Sequence, residues 1–330
     1  MTMSPPEAGE AALSCQTGLS RTLYDLVKIK VWLTRPGGRT SGAHYYILSR
    51  YMLARSLQAA SISHSSAIKA SLLLKRHLVD NSVLSLDQET LERTLFDIIL
   101  SNGLASAKEL ETWSMVTRFQ QSRTPLIILM IGKSCDAKTR VAHTLSSRLH
   151  FNYVILTEAL QDMMFLEEKK ADKMYIFRSL QNDVAKALKD GKSIIIEGDL
   201  EHCIDRFVLG AYDEDIVPRD LIGGGLVTVL QGRGSMSPIR VNVRGAREGE
   251  GTKVGAWDGK TLDATPQPAL VVPLSLLRKG DDEPPARHLL DSGMLPTFVL
   301  DENASPEDNS EEIHGWILKA IMASERVSDG

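Results

Sequence analysis

The sequence predicts a two-part chain: a small, mainly helical unit followed by an α/β unit built on a parallel sheet flanked by helices. Three observations lead there. Apolar residues recur at helical spacing from Tyr24 to about Gln121. From Pro125 onward, apolar runs of strand length alternate with amphipathic helical stretches. The first of those runs, LIILMI, is continuously apolar and bounded by Pro125 and Gly132, as suits a strand buried on both faces of a parallel sheet. A chain of 330 residues is long enough for about two domains at ~100–200 residues each.

Residues 1–22 are small, polar and proline-containing, and read as a disordered tail. Residues 23–122 form the helical unit. Its opening, YDLVKIKVWL, reads as a strand or a short strand pair, and Pro36, Gly37 and Gly38 then break the chain. HYYILSRYMLARSLQAA reads as a first helix and SHSSAIKASLLLKRHLVD as a second. Ser85 and Gln88 have capping-box spacing before a third, with Leu91, Leu95, Ile98 and Ile99 as its buried stripe and Gly103 at its stop. Ser106 and Glu109 repeat the spacing before a fourth.

Residues 123–330 form the α/β unit. After PLIILMIG come a helix (AKTRVAHTLSSRLH), a strand (NYVILT), one or two helices ended by Gly191, and a strand (SIIIEG). Such βαβ units connect right-handed and give a parallel sheet. Residues 219–267 are glycine-rich, carry Arg233, Arg240, Arg244 and Arg247, and read as an inserted loop or β-hairpin. LVVPLSLL and TFVLDEN supply two further strands, and Asn309 with Glu312 would cap a final helix.

The net charge of −4 and pI near 6.1 provide no bulk attraction to nucleic acid or acidic membrane, so no nucleic-acid partner is expected. Cys15, Cys135 and Cys203 are odd in number, widely spaced and lack a CxxC pair, which argues against a disulfide framework or zinc site and fits a reducing compartment. No secretory signal and no membrane-length apolar run is visible, so the expected location is cytoplasmic. The histidines show no metal-ligand spacing.

The chemistry concentrates at Gly132-Lys133-Ser134-Cys135-Asp136-Ala137-Lys138-Thr139. A phosphate-binding loop reads GxxxxGK[ST] between a strand and a helix. Its backbone N–H groups cradle phosphates, its lysine reaches the β/γ-phosphates, and its hydroxyl binds Mg²⁺. Here the first glycine, Lys138 and Thr139 are in register, and Ala137 stands where the second glycine belongs. A Cβ at that position can crowd the anion or strain the turn. Asp136 adds negative charge beside it, which Lys133 partly offsets. An ordinary strand-to-helix turn with a solvated lysine is the competing reading.

The chain resembles the 2-phosphoglycerate kinase family, including its plant-type relatives linked to phytic acid. The likeness runs from Tyr24 to about Gly198 and returns faintly at the C-terminus. It is strongest in RYMLARSLQAASISHSSAIKASLLLKRHLVDNSVLSLDQETLERTLFDII, in Met115–Phe119 and in TPLIILMIG. The resemblance implies a P-loop NTPase fold preceded by an ATP-cone-like module, with ATP and Mg²⁺ as cofactors and a small-molecule phosphate acceptor. Gly132, Lys138 and Thr139 fall on the family's nucleotide loop. Thr157-Glu158 falls on its Thr-Asp, and Glu197-Gly198 on its IIEG. Arg50 and Arg55 match arginines of the first module, and Lys28 and Lys30 lie near its start. Ala137, Glu158, Arg140, the lack of an arginine in EALQDMMF and the lack of the histidine and proline after IIEG all depart from the pattern, though His202 is near.

For a kinase, Lys138, Glu158 and Glu197 are the candidate catalytic residues and Thr139 the metal ligand. Glu158 could take the acceptor's proton or orient a metal-bound water, or simply favour a helix N-terminus. Glu197 could be the acid of a Walker-B-like strand or a solvated strand end. Arg287 and His288 could supply transition-state charge, but read first as a solvated helix face. Two functions follow: a kinase acting on 2-phosphoglycerate or an inositol phosphate, or a nucleotide-binding regulatory or scaffold protein that kept the fold and lost turnover.

Overall fold

The computed structural model describes residues 24–33, 44–122, 124–133, 135–151, 153–165, 173–200, 226–231, 236–241, 269–280 and 295–328. The predicted tail, the turn at 35–42, Ser134, His202, Arg233, Arg244, Arg247, Arg287 and His288 lie outside them. The chain divides into two compact units, residues 1–114 and 115–330.

In the first unit, strands β1 (Lys30–Leu33), β2 (His44–Ile47) and β3 (Ser85–Asp87) form a sheet in the order β2-β1-β3. Helices α1 (Arg50–Ala59), α2 (His64–Asp80), α3 (Gln88–Ser101) and α4 (Ala107–Gln121) accompany it, the last of which spans the division between the units. The sequence reads as a strand or a short strand pair here, and the described residues form three strands. His44–Ile47, assigned to the first helix, pairs antiparallel with Lys30–Leu33 instead. Its aromatic and β-branched residues suit a strand. The helix starts only after Ser49, whose Oγ accepts from the Met52 N–H at 3.4 Å.

The Ser85 capping box is also corrected. Ser85 belongs to β3, and Asp87 is the N-cap, accepting from the Thr90 N–H at 2.7 Å. The Ser106 box forms as expected, with Glu109 accepting from the Ser106 N–H at 2.7 Å and Ser106 Oγ from the Glu109 N–H at 3.3 Å. The core joins Ile29 and Val31 to Leu57, Leu74, Leu95, Ile99 and Trp113. Lys75 is buried among them and donates to the Val27 carbonyl at 2.5 Å.

The second unit is an α/β fold consistent with that of a P-loop NTPase. Its elements are β4 (Leu126–Ile131), α5 (Asp136–Leu149), β5 (Tyr153–Leu156), α6 (Thr157–Phe165), α7 (Lys173–Asp190), β6 (Ile194–Gly198), β7 (Leu226–Gln231), β8 (Met236–Val241), β9 (Ala269–Arg278), β10 (Thr297–Leu300) and α8 (Pro306–Ser328). Strands β5, β6, β4, β9 and β10 lie side by side in that order, all parallel. β7 pairs with the first half of β9 and β10 with its second half, so one long strand serves two neighbours on one edge. β7 and β8 form an antiparallel hairpin within the predicted insertion. That hairpin joins the main sheet.

Alternation along the strands sorts the two faces. Ile127, Leu129 and Ile131 meet α7 through Phe177, Leu180 and Val184. Ile128 and Met130 meet α5 and α8 through Val141, Leu145, Ile313 and Ile317. α8 starts one turn earlier than predicted, because Ser305 caps it through the Asp308 N–H at 3.1 Å and Pro306 suits the first helical position. Asn309 instead ties the helix to the end of β10. It accepts from the Asp301 N–H at 3.0 Å and donates to the Asp301 carbonyl at 2.8 Å. Among the described residues, no helix is long and apolar enough to cross a membrane.

Two predictions follow from this packing. Burial holds the Lys75 ammonium below its usual pKa, with Asp25 opposing and Arg50 adding to the shift. The unfolded chain therefore binds more protons than the native one just below pH 10.5, and this residue's contribution to stability rises with pH across that window. Melting temperatures should show the parent gaining on Lys75→Met between pH 8 and pH 10. Separately, Gly198 has φ +155° and a Cβ there would lie 1.6 Å from Thr157 Oγ1. Gly198→Ala should lower unfolding stability by about 2 kcal/mol or more in urea titrations.

Candidate active site

The candidate site lies at the C-terminal end of the parallel strands, where open α/β sheets bind ligands. Register places Ile131 of β4 beside Gly198 of β6 on one side and Ser275 of β9 on the other. Gly132, just beyond, donates its N–H to the Gly198 carbonyl at 3.2 Å. A Cβ on Gly132 would sit 2.4 Å from the Leu276 carbonyl oxygen. The first glycine of the motif is thus required by backbone packing against β9, whatever the loop binds.

From Gly132 the chain turns into α5. Lys133 is exposed, and Ser134 lies outside the described residues. Cys135 is the N-cap, extended at φ −160° and ψ 146°, with a free, half-buried thiol and no side-chain cap bond. Its carbonyl accepts from the Lys138 N–H at 3.1 Å and the Thr139 N–H at 3.4 Å. Asp136 opens the helix in an exposed position, where its charge complements the helix dipole.

Ala137 corrects the sequence-based concern about its methyl group. It lies inside the first turn of α5, 1% exposed, and packs with Val141, Ala142 and Met130 in the core between α5 and the sheet. Its φ is not among the positive values of the described chain. The position is therefore an ordinary helical one that an alanine fills.

Lys138 is fully buried. Its Nζ donates to the Gly132 carbonyl at 2.7 Å and lies 3.0 Å from Glu197 Oε1. Thr139 Oγ1 donates to the other carboxylate oxygen, Oε2, at 3.2 Å. Glu197 is 2% exposed, so the reading of it as a solvated strand end is replaced by a buried acid on β6. Strand alternation explains the meeting. Ile194 and Ile196 face α7, so Glu197 faces α5, where Lys138 and Thr139 begin the helix. The structure thus brings together Gly132 from the turn after β4, Lys138 and Thr139 from α5, and Glu197 from β6.

Glu158 lies in the first turn of α6, half-buried, at the same end of the sheet and one strand further out. Before it, Thr157 is buried with an Oγ1 that has no hydrogen-bond partner, and Ser275 is buried with an equally unpartnered Oγ. The resemblance singled out Thr157 as part of a Thr-Glu pair, and motif reading missed Ser275. Position at a strand end was the signal available for Thr157, and nothing in the sequence distinguished Ser275. Arg50 and Arg55 belong to the first unit. Arg50 pairs with Asp25, and Arg55 donates to Tyr51 Oη at 3.1 Å while lying over its ring. Lys28 is exposed, and Lys30 sits 5.1 Å from the Tyr45 ring centroid. Arg240 is on β8.

No protein-family model matches the chain, and no solved structure matches it. Two curated proteins are similar to part of it. The 2-phosphoglycerate kinase of Methanocaldococcus jannaschii is 29% identical over 117 residues, covering 35% of this chain and 37% of that protein. The 2-phosphoglycerate kinase of Methanopyrus kandleri is 27% identical over 127 residues, covering 38% of each. The match spans less than two-fifths of the length of these relatives. These likenesses support a distant relationship to proteins named 2-phosphoglycerate kinase.

Proposed function

We propose that this chain is a kinase-like enzyme that transfers the terminal phosphate of MgATP to a small anionic metabolite. The observation that supports it most is the cluster of Lys138, Thr139 and Glu197 at the C-terminal end of the parallel sheet. A fully buried lysine is rare and needs a reason. A phosphate chain seated on the start of α5 would meet Lys138 and the N–H groups of the helix's first turn. Thr139 and Glu197 offer hard oxygen donors of the kind Mg²⁺ prefers. When bound, the ion would neutralise charge on the phosphate oxygens.

In this reading Lys138 holds the β/γ-phosphates and Glu158 accepts the acceptor's hydroxyl proton. The acceptor oxygen bonds to the γ-phosphorus, the bond to the β–γ bridging oxygen breaks, and ADP leaves. The distant relatives make 2-phosphoglycerate the first acceptor to try, with inositol phosphates second. The first unit would then be a regulatory, ATP-cone-like module, and the setting cytoplasmic.

A second reading is a nucleotide-binding regulatory or scaffold protein that no longer turns over. The burial of Lys138 against Glu197 and the Gly132 carbonyl favours it, because the lysine's charge is already engaged. A screen of phosphorylated acceptors with radiolabelled MgATP separates the two. Product formation supports the kinase, whereas MgATP binding without transfer to any acceptor supports the regulator.

Two variants test the loop. Removing the lysine alone strands a buried carboxylate, at a cost of about 3–5 kcal/mol. Lys138→Met with Glu197→Gln should recover most of that stability in urea titrations and should abolish MgADP binding in calorimetry. Ala137→Gly should lower stability by about 1 kcal/mol, since it places glycine inside a helix and removes a buried methyl. It should leave MgADP affinity within about twofold of the parent, because the methyl points into the core.

A further inference from the structure

The regulation of this same loop can be read from the way Glu197 distributes its two oxygens, an inference that rests on the nucleotide reading above. Oε1 lies 3.0 Å from Lys138 Nζ and Oε2 accepts from Thr139 Oγ1 at 3.2 Å. One carboxylate therefore occupies both side chains that the loop motif assigns to the phosphate chain and its metal ion. Lys138 places a further N–H on the Gly132 carbonyl at 2.7 Å, which pins the ammonium to the start of the loop. Lys138 and Glu197 are both sealed from solvent, so water screens neither.

A carboxylate presents an anionic edge with two acceptor oxygens, as a phosphate does. We infer that Glu197 is an internal stand-in for phosphate that latches the empty loop, so that the site takes a polyphosphate bound to a divalent cation and rejects the free polyphosphate. The reason is charge balance. Lys138 carries one positive charge and Glu197 already neutralises it. A free polyphosphate would bring several negative charges against that carboxylate in a low-dielectric site, with Asp136 at the same helix start adding to the repulsion. A divalent cation supplies the missing positive charge and gives Glu197 and Thr139 a partner, which frees Lys138 for phosphate.

The test is calorimetric titration of the full chain with ADP, in EDTA and in excess Mg²⁺, for the parent, Glu197→Gln and Glu197→Asp. The parent should bind ADP at least tenfold more weakly in EDTA than in Mg²⁺. Glu197→Gln removes the charge, and Glu197→Asp withdraws it by one methylene from Lys138. Either should bind metal-free ADP at least tenfold more tightly than the parent, so the second decides if the first fails to fold. Equal affinity of the parent for ADP with and without Mg²⁺ overturns the latch and leaves the nucleotide reading standing. So does a parent that binds MgADP while neither variant gains metal-free affinity. Absence of ADP binding in all three proteins under both conditions overturns the latch and the nucleotide reading together.

Discussion

The buried contact between Lys138 and Glu197 ties the start of helix α5 to the end of strand β6, and the geometry of the site depends on it. Two charges taken out of water cost several kcal/mol each, so the pair persists only where the remaining hydrogen bonds are met. Here they are: the Gly132 carbonyl takes one ammonium N–H, and Thr139 satisfies the second carboxylate oxygen. Glu197 and the Gly132 carbonyl that meets the ammonium are both placed by the sheet. Glu197 stands beside Met130 in the ladder, and Gly132 follows β4 by a single residue. The loop's shape is therefore a consequence of strand register, with the ion pair as its closing contact.

The same packing accounts for the loop's unusual composition. Glycine is demanded at 132, because β9 backbone leaves no room for a Cβ, and at 198, because φ is positive and Thr157 fills the space. It is not demanded at 137, where the backbone is already helical and the methyl joins the core. Alanine is accommodated at this motif position because the helix, which begins at Asp136, already includes it. The departure that matters chemically is elsewhere, in how completely Glu197 occupies Lys138.

Much of the scaffold was legible in the sequence. Continuous apolar runs marked β4, β6 and β9, because strands buried on both faces need no alternation. The Ser106 capping box was read correctly from four residues. The β-strand at His44–Ile47 was missed because its apolar residues continue into those of α1 at helical spacing, and only pairing with Lys30–Leu33 decides the matter. The caps at Asp87 and Ser305 were misplaced because overlapping Ser, Asp, Asn and Glu residues satisfy the same spacing in more than one register. At the site, the motif pointed to Lys138 and Thr139. The burial of Glu197 on the same face required the parity of β6 against α5, a tertiary fact, and the unpartnered hydroxyl of Ser275 had no sequence signature.

The central claim is that the segment from Gly132 to Thr139 is a working nucleotide loop. Hydrogen–deuterium exchange of the full chain, with and without saturating MgADP, tests it most directly because it reports where the ligand acts. The account predicts slowed exchange across residues 132–139 and at the end of β6. Slowing confined to residues 24–114, or no slowing anywhere, would contradict it.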